Sequence, residues 1–447
     1  MKIKPTISAY FAIILLFLNI NLSVQAWNEH TLLAYASLKD LPFWKTSDSV
    51  AAKSLKAFLS DNEKELELFL ARHEAWSRDN LPDYAPCPDA LTFKETGNPD
   101  DILLRFYSAI RINQNLKAPL YLQLMPGVVA GGRTIVDPQD ITTLEDLSLM
   151  LDNIYVLINE GELVSPFEVL CTANNEPDYG LDLGLFVDNS TDFGKTYGFG
   201  VQPFGNPNLE YSSQAPFHMC FFHEAGILYK FGPFLKRTYV DYRLNLYKAL
   251  SEFAFAQNED YWGWRFMGWG MHYVSDPSMP YHSKPLPGVS VLRMLWINFK
   301  AIIGFPGAKD RAVQLVSNRH TALEEFQVQI LRKAFEQQDW EHPFLQALTH
   351  PQPHIPFNQK FLIEVVSKEA SDKSVFMDKT IKKYMPYKIV SDPKVEASEL
   401  PDIKRIVEVM RNEKGQEAVD AMTLAIAERF KSFSMITRSF MASVAKV

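Results

Sequence analysis

Two short runs of this chain place metal-binding side chains at helical spacing. His272 and Asp276 are four residues apart, so a helix puts both on one face, and His282 follows six residues later. Pro277 and Pro280 break the helix between them, which lets the chain turn His282 back toward the same pocket. His320 and Glu324 repeat the four-residue spacing. Imidazole plus carboxylate is the donor set of catalytic zinc. One such pair alone is more often a helix salt link or a core histidine; two pairs and a further histidine in one chain are harder to dismiss. A third donor source is the start of the chain. If residues 1–26 are removed, the α-amino group of Trp27, with a pKa near ~8, deprotonates readily. With the Trp27 carbonyl oxygen it can form a five-membered chelate, and His30 adds a nitrogen three residues on. Against this stands the plainer reading of Trp27 as a buried anchor and His30 as a helix-cap partner.

That N-terminal chelate depends on processing. Lys2 and Lys4, the apolar run from Ala9 to Leu18 and the Val24-Gln25-Ala26 site have the layout of a cleaved secretory signal. The run is too short to span a bilayer comfortably. Residues 1–26 are therefore expected to be a signal peptide and the mature protein to be secreted or periplasmic. The 447-residue chain has a net charge of -8; without Lys2 and Lys4 it becomes -10. An acidic chain is a poor phosphate-backbone binder, since that affinity comes from Lys and Arg. Only three cysteines are present, so at most one disulfide forms within the chain, with Cys87–Cys171 as the candidate pair.

The elements that must position these residues read as helices. Leu32, Leu33, Tyr35, Ala36 and Leu38 share a face; Ser49 to Trp76, Thr143 to Asn159, Tyr242 to Ala256, Trp262 to Asp276, Leu292 to Ile303 and Arg311 to Phe335 are expected to be helical. Residues 100–125 mix a helix with an extended Tyr-Leu-Gln-Leu-Met run, and 172–216 form a long Gly/Pro/Asn-rich loop. Phe361–Lys383 and Asp402–Val447 are again helical. The fold class is mainly α, a multi-helix bundle. The expected layout is a catalytic unit over 27–345 with an insertion at about 90–170, then a helical C-terminal extension over 346–447. Trp262, Trp264 and Trp269 are assigned to the core. Met422–Val447, apolar with interspersed Lys and Arg, could lie on a membrane surface but reads better as a packing helix.

Taken together, these residues resemble the zinc-dependent phospholipase C and single-strand-specific nuclease family. The carriers are Trp27, His30, His272/Asp276/His282 and His320/Glu324, with Gly268-Trp-Gly-Met-His272-Tyr leading into the first histidine and His30-Thr-Leu-Leu-Ala-Tyr-Ala similar to the first helix of the nuclease branch. The resemblance covers mainly 27–40 and 170–330. It implies an upstream Asp and His as well. Asp178, in Glu-Pro-Asp-Tyr, and His218, in Pro-Phe-His-Met, match best; Asp83 and Asp182 are rivals for the first and His223 for the second. Three zinc ions are then implied: one on Trp27, His30 and Asp276; one on Asp178, His218, His272 and the bridging Asp276; one on His282, His320 and Glu324. Asp178 would also orient or deprotonate the attacking water.

The implied reaction is phosphodiester hydrolysis, and the expected activity is that of a phospholipase C releasing diacylglycerol from phosphatidylcholine-like lipids. Tyr179 follows Asp178 as in the phospholipase branch, where that aromatic contacts the head group, and Glu29 is a candidate partner for a trimethylammonium. The expected partner is thus a phospholipid surface bound peripherally, with no stable nucleic-acid partner. A zinc nuclease is the alternative activity, because base stacking also needs aromatic platforms. An inactive secreted metal-binding protein is the alternative from a different class. The sequence carries no signal for an oligomeric state.

Overall fold

The computed structural model describes residues 29–445 apart from Leu149 and Pro351. Trp27 and the expected signal segment lie outside the described residues. Helix accounts for 62% of the chain and strand for 3%, so the fold is mainly α. Among the described residues no helix is long and apolar enough to cross a membrane.

Eight helices matter for the site: α1 (His30–Leu38), α2 (Pro166–Ala173), α3 (Val240–Ala256), α4 (Asp260–Ser275), α5 (Val291–Ile302), α6 (Gly307–Glu336), α7 (Lys368–Tyr384) and α8 (Gln416–Ala445). The central one is α4, buried from Tyr261 to Ser275. It packs against α3, α2 and α8. Glycine makes this possible. A Cβ on Gly268 would sit 2.6 Å from the Ala173 Cβ and 2.7 Å from the Leu170 carbonyl oxygen, so α2 touches the bare backbone of α4. On the other side, a Cβ on Gly270 would meet the Phe440 ring of α8 at 2.8 Å. The tryptophans of α4 are core residues, as their spacing suggests: Trp262 and Trp269 are fully buried.

Two apolar cores adjoin at the site. The first gathers Phe58, Phe106, Leu122, Val156, Leu170, Tyr247, Trp262 and Phe266. The second gathers Leu32 and Leu33 of α1, Leu323 and Phe326 of α6, and Ile426, Phe430 and Phe433 of α8. Residues 90–170 therefore contribute to the first core, and residues 346–447 contribute to both and share the second with α1. Neither segment is an appendage. Arg438 of α8 donates to the Ser37 carbonyl at 2.8 Å, fastening the end of α1. As far as it is described, to Ala445, the segment from Met422 is a packing helix, with Phe430, Phe433, Ile436 and Phe440 fully buried.

Three local expectations fail. Thr143 to Asn159 is not a helix: turns lead into a strand, Ile154–Leu157, that pairs antiparallel with Tyr121–Leu124. The β-branched and aromatic Ile-Tyr-Val run follows Asp152-Asn153, a turn-forming pair, and finds a partner strand, so sheet pairing wins over helical periodicity. Ser49 to Trp76 divides into a bridge at Val50–Ala51 and two helices, Leu55–Asp61 and Glu63–Asn80. Cys87 and Cys171 are not joined; all three cysteines are free and buried. Cys87 turns its thiol to the Pro88 and Ala109 carbonyls.

Candidate metal centre

Each end of the chain's chemistry is set by a local hydrogen-bond frame. His30 opens α1, and its carbonyl accepts from Asn174 Nδ2 at 3.1 Å. The Thr31 amide donates to Asn175 Oδ1, and the Thr31 hydroxyl donates to the Cys171 carbonyl. The N-terminus of α1 is thus pinned to the C-terminus of α2. His272 lies in the last turn of α4, with Nδ1 2.9 Å from the Asn174 carbonyl. That bond makes Nδ1 the donor and leaves the Nε2 lone pair facing the centre. Asp276 caps α4, and Pro277 starts a 3₁₀ turn, Asp276–Ser278, that leads into the short helix Pro280–Ser283 carrying His282. The His282 carbonyl accepts from the Cys220 amide at 2.8 Å, bringing the His218 segment alongside. Asp178 sits in a 3₁₀ turn, Glu176–Tyr179. Glu176 anchors that turn to α4 by accepting from Arg265 and Trp269.

The side chains converge. Asp276 Oδ1 is 3.6 Å from His30 Nε2, and its Oδ2 is 3.4 Å from His218 Nδ1 and 2.9 Å from His282 Nδ1. Asp178 Oδ1 is 3.7 Å from His218 Nδ1 and 3.6 Å from His272 Nε2. His320 Nε2 is 2.8 Å from Glu324 Oε1 on α6, and the His282 and His320 rings lie 5.0 Å apart. Three sets of donors fall within 4.8 Å of one another: His30/Asp178/His272, His218/His272/Asp276 and His282/His320/Glu324. The third set has the membership expected from sequence. The first two are regrouped, with His272 common to both and Asp178 beside His30.

The fold decides four of the expectations from sequence. Asp182 is engaged by structural partners: Arg243 donates to it from Nε at 2.8 Å and from Nη2, and Tyr273 donates its hydroxyl, while its Oδ2 lies 3.7 Å from His218 Nε2 behind the cluster. Asp83 is exposed on a turn. Of the two histidines, His218 enters the cluster, while His223 Nε2 pairs with the Ile363 carbonyl at 2.8 Å. The head-group roles expected of Tyr179 and Glu29 do not fit. The Tyr179 hydroxyl is hydrogen-bonded to Tyr155 and Asn175, and its ring is packed with Tyr121, Ile141 and Met150. Glu29 is buried and its carboxylate accepts from Arg332, Asn153 and Gln123, so no face is left for a trimethylammonium.

The residues fit divalent cations. Both ring nitrogens of His30, Nε2 of His218 and Oε2 of Glu324 are buried with no hydrogen-bond partner among the described residues, and His320 Nε2 and Glu324 Oε1 face each other at 2.8 Å. Buried polar atoms without partners are rare, and an ion is one of the standard explanations. Donors at ~2.1 Å from a tetrahedral zinc lie about 3.4 Å from each other, and the separations of 3.1 to 3.7 Å around Asp178, His218, His272 and Asp276 bracket that spacing. Charge points the same way. Asp178, Asp276 and Glu324 bring three carboxylates into a site whose cationic partners among the described residues are only histidines. Burial raises the Glu324 carboxyl well above the usual range, helped by Asp276 and Asp178. It likewise drives His272 and His320 far down, which favours their neutral imidazole forms. Burial would lift Asp276 too, but His282, His218 and His30 outweigh it and hold the carboxyl well below the usual range. Asp178 is pushed up, chiefly by burial. Its side chain keeps 16% of its surface exposed, against 4% or less for the seven other described candidate ligands.

Several of the residues that hold this centre carry no motif: Asn174, Asn175, Arg243 and Tyr273, and on the C-terminal side Arg319 and Asp378. Arg243 had one readable signal, a cation on the apolar face of α3 one turn before Tyr247. No protein-family model, no curated protein and no solved structure matches the chain.

Proposed function

We propose that this protein is a zinc-dependent phosphodiesterase that acts as a phospholipase C. The observation that supports it is the convergence of five histidines and three carboxylates from separate segments into one buried cluster with unpartnered donor atoms. His30, Asp178, His218, His272, Asp276, His282, His320 and Glu324 would hold three zinc ions, joined by the α-amino group of Trp27 once the leader is removed. Zinc bound there would supply a nucleophile at neutral pH and charge stabilisation for a phosphoryl group. Asp178, at the exposed edge, would orient the attacking water and take its proton as oxygen adds to phosphorus. The bond from phosphorus to the glycerol oxygen then breaks, and that oxygen leaves with a proton as the diacylglycerol hydroxyl.

A lipid substrate is favoured over a polynucleotide by two features. The chain is acidic overall. The His320 ring also forms part of the wall of an apolar cavity of about 100 Å³ lined by Phe204, Met219, Phe221, Leu228, Phe234 and Met294. Such a mostly apolar wall suits hydrocarbon better than a row of phosphates, and Lys309, the lysine in its lining, is buried. One preparation of leader-free protein, its zinc content measured, is incubated with phosphatidylcholine vesicles and separately with single-stranded DNA. Phosphocholine release with intact DNA is expected. Cleavage of DNA alone would replace the lipid reading with the nuclease, and a protein without bound zinc would overturn both.

A further inference from the structure

The strongest feature outside the metal cluster is an apolar and basic surface beside it. On α5, Met294, Ile297 and Ala301 face inward, while Leu292, Trp296 and Phe299 face out, at 80%, 56% and 51% exposure. Ile303 and Phe305 continue the outer face beyond the helix, and Phe231 of the short helix Gly226–Phe231 is also exposed. Large apolar side chains clustered at this density mark an interaction surface. Its charge is equally distinct. Residues 225–240 and 277–309 contain seven Lys and Arg and no Asp or Glu, in a chain of net charge -8; of the seven, Lys309 is buried and Lys284 pairs with Glu224 at 2.7 Å. Lys230, Lys236 and Arg293 are exposed, and the Lys300 ammonium lies over the Trp296 ring at 5.1 Å. The inner sides of the same two segments, through Leu228, Phe231, Met294 and Ile297, wall the cavity that ends at Tyr281 and His320.

We infer that this surface docks on an anionic lipid bilayer. A helix with aromatic and aliphatic residues on one face, flanked by cations, lies in the interface of such a membrane and gains from both terms. A second copy of the chain fits less well, because a two-fold contact would set Arg293 and Lys300 against their own equivalents with no carboxylate in either segment to answer them. Docking would set the mouth of the cavity against the acyl region, on the side of the cluster held by His320. The inference rests on the lipid reading for its biological sense, but its test does not depend on catalysis.

Flotation of the full-length mature protein is measured with vesicles of phosphatidylcholine and phosphatidylglycerol in equal parts. The variants are Trp296→Ser/Phe299→Ser and Arg293→Glu/Lys300→Glu, all surface positions. The apolar pair is expected to lower the partition coefficient by at least about tenfold. The charge pair is expected to lower it by about fivefold per residue at low salt, with the difference shrinking at high salt. Hydrolysis of a small chromogenic phosphodiester should stay at the wild-type rate in both. Absent vesicle binding by the wild type, or binding unchanged in both variants, overturns the docking surface. A wild-type dimer that both variants dissolve, with no vesicle binding, reassigns the face to contact between copies and also overturns it. Variant-sensitive vesicle binding by a protein that cuts no phosphodiester leaves the docking surface standing while the proposed enzyme falls.

Discussion

Asp378 offers the sharpest test of how the C-terminal segment supports the metal centre. It is fully buried on α7, accepts from Arg319 Nη1 at 2.9 Å and from the Tyr281 hydroxyl at 3.4 Å. Arg319 immediately precedes His320, and Tyr281 immediately precedes His282. The Tyr281 ring also stacks on the His320 ring, with centroids 5.4 Å apart and an interplanar angle of 11°. One carboxylate from residue 378 thus braces both histidines of the third donor set. Asp378→Ala would strand the Arg319 Nη1, leaving the guanidinium its Nε bond to the Val390 carbonyl at 2.9 Å. Removing one member of a buried ion pair costs about 3–5 kcal/mol. Unfolding roughly 420 residues at about 2.1 cal/mol/K each gives an entropy near 0.9 kcal/mol/K, so the midpoint should fall by about 3–6 °C. Asp378→Asn keeps the shape and one acceptor and should cost about half as much. Thermal unfolding by circular dichroism gives the stability term. Metal content after dialysis against graded chelator gives the link to the centre, where Asp378→Ala should lose one ion about 10–100-fold more readily. An unchanged midpoint would refute the buried-pair argument. A lowered midpoint with unchanged metal retention would refute the brace.

Three further outcomes are expected. Asp276→Asn should reduce phosphodiester hydrolysis by more than about 100-fold, beyond what an outer-shell change does, because its carboxylate faces His30, His218 and His282 together; steady-state rates on a chromogenic diester check this. Tyr179→Phe should cost about 1 kcal/mol in denaturant unfolding through its lost bonds to Tyr155 and Asn175 and leave the choline-to-ethanolamine preference unchanged; altered preference would restore the head-group role. Metal removal by chelation should lower the unfolding midpoint, since ions present at a thousandfold excess over their dissociation constants stabilise by about 4 kcal/mol; equal midpoints with and without chelator would argue against a bound ion.

What could be read from sequence was what lies within one or two helical turns. His272/Asp276 and His320/Glu324 declare themselves by spacing, and the prolines after Asp276 foretell the return of His282. Asp178 could not be separated from Asp182 on the same grounds. The difference is that Arg243, sixty-one residues downstream, and Tyr273 consume Asp182 and leave Asp178 free to face the imidazoles. His218 and His223 are distinguished by where Ile363 ends up, again a long-range fact. Tyr179 misled because its neighbour faces the cluster while its own ring turns into a separate aromatic group. The helical class was plain from periodicity, yet Ile154–Leu157 became a strand because Tyr121–Leu124 was there to pair with it. The unity of residues 346–447 with α1 was hidden for the same reason: nothing local in either segment names the other.

That union has a consequence for biogenesis. His30 packs between His272 and the Phe433 ring, at centroid distances of 4.1 and 6.0 Å, so a residue at the very front of the described chain is walled in by one near its end. Until α8 docks, this imidazole has no back wall, so a protein lacking α8 would hold any ion at this site less well.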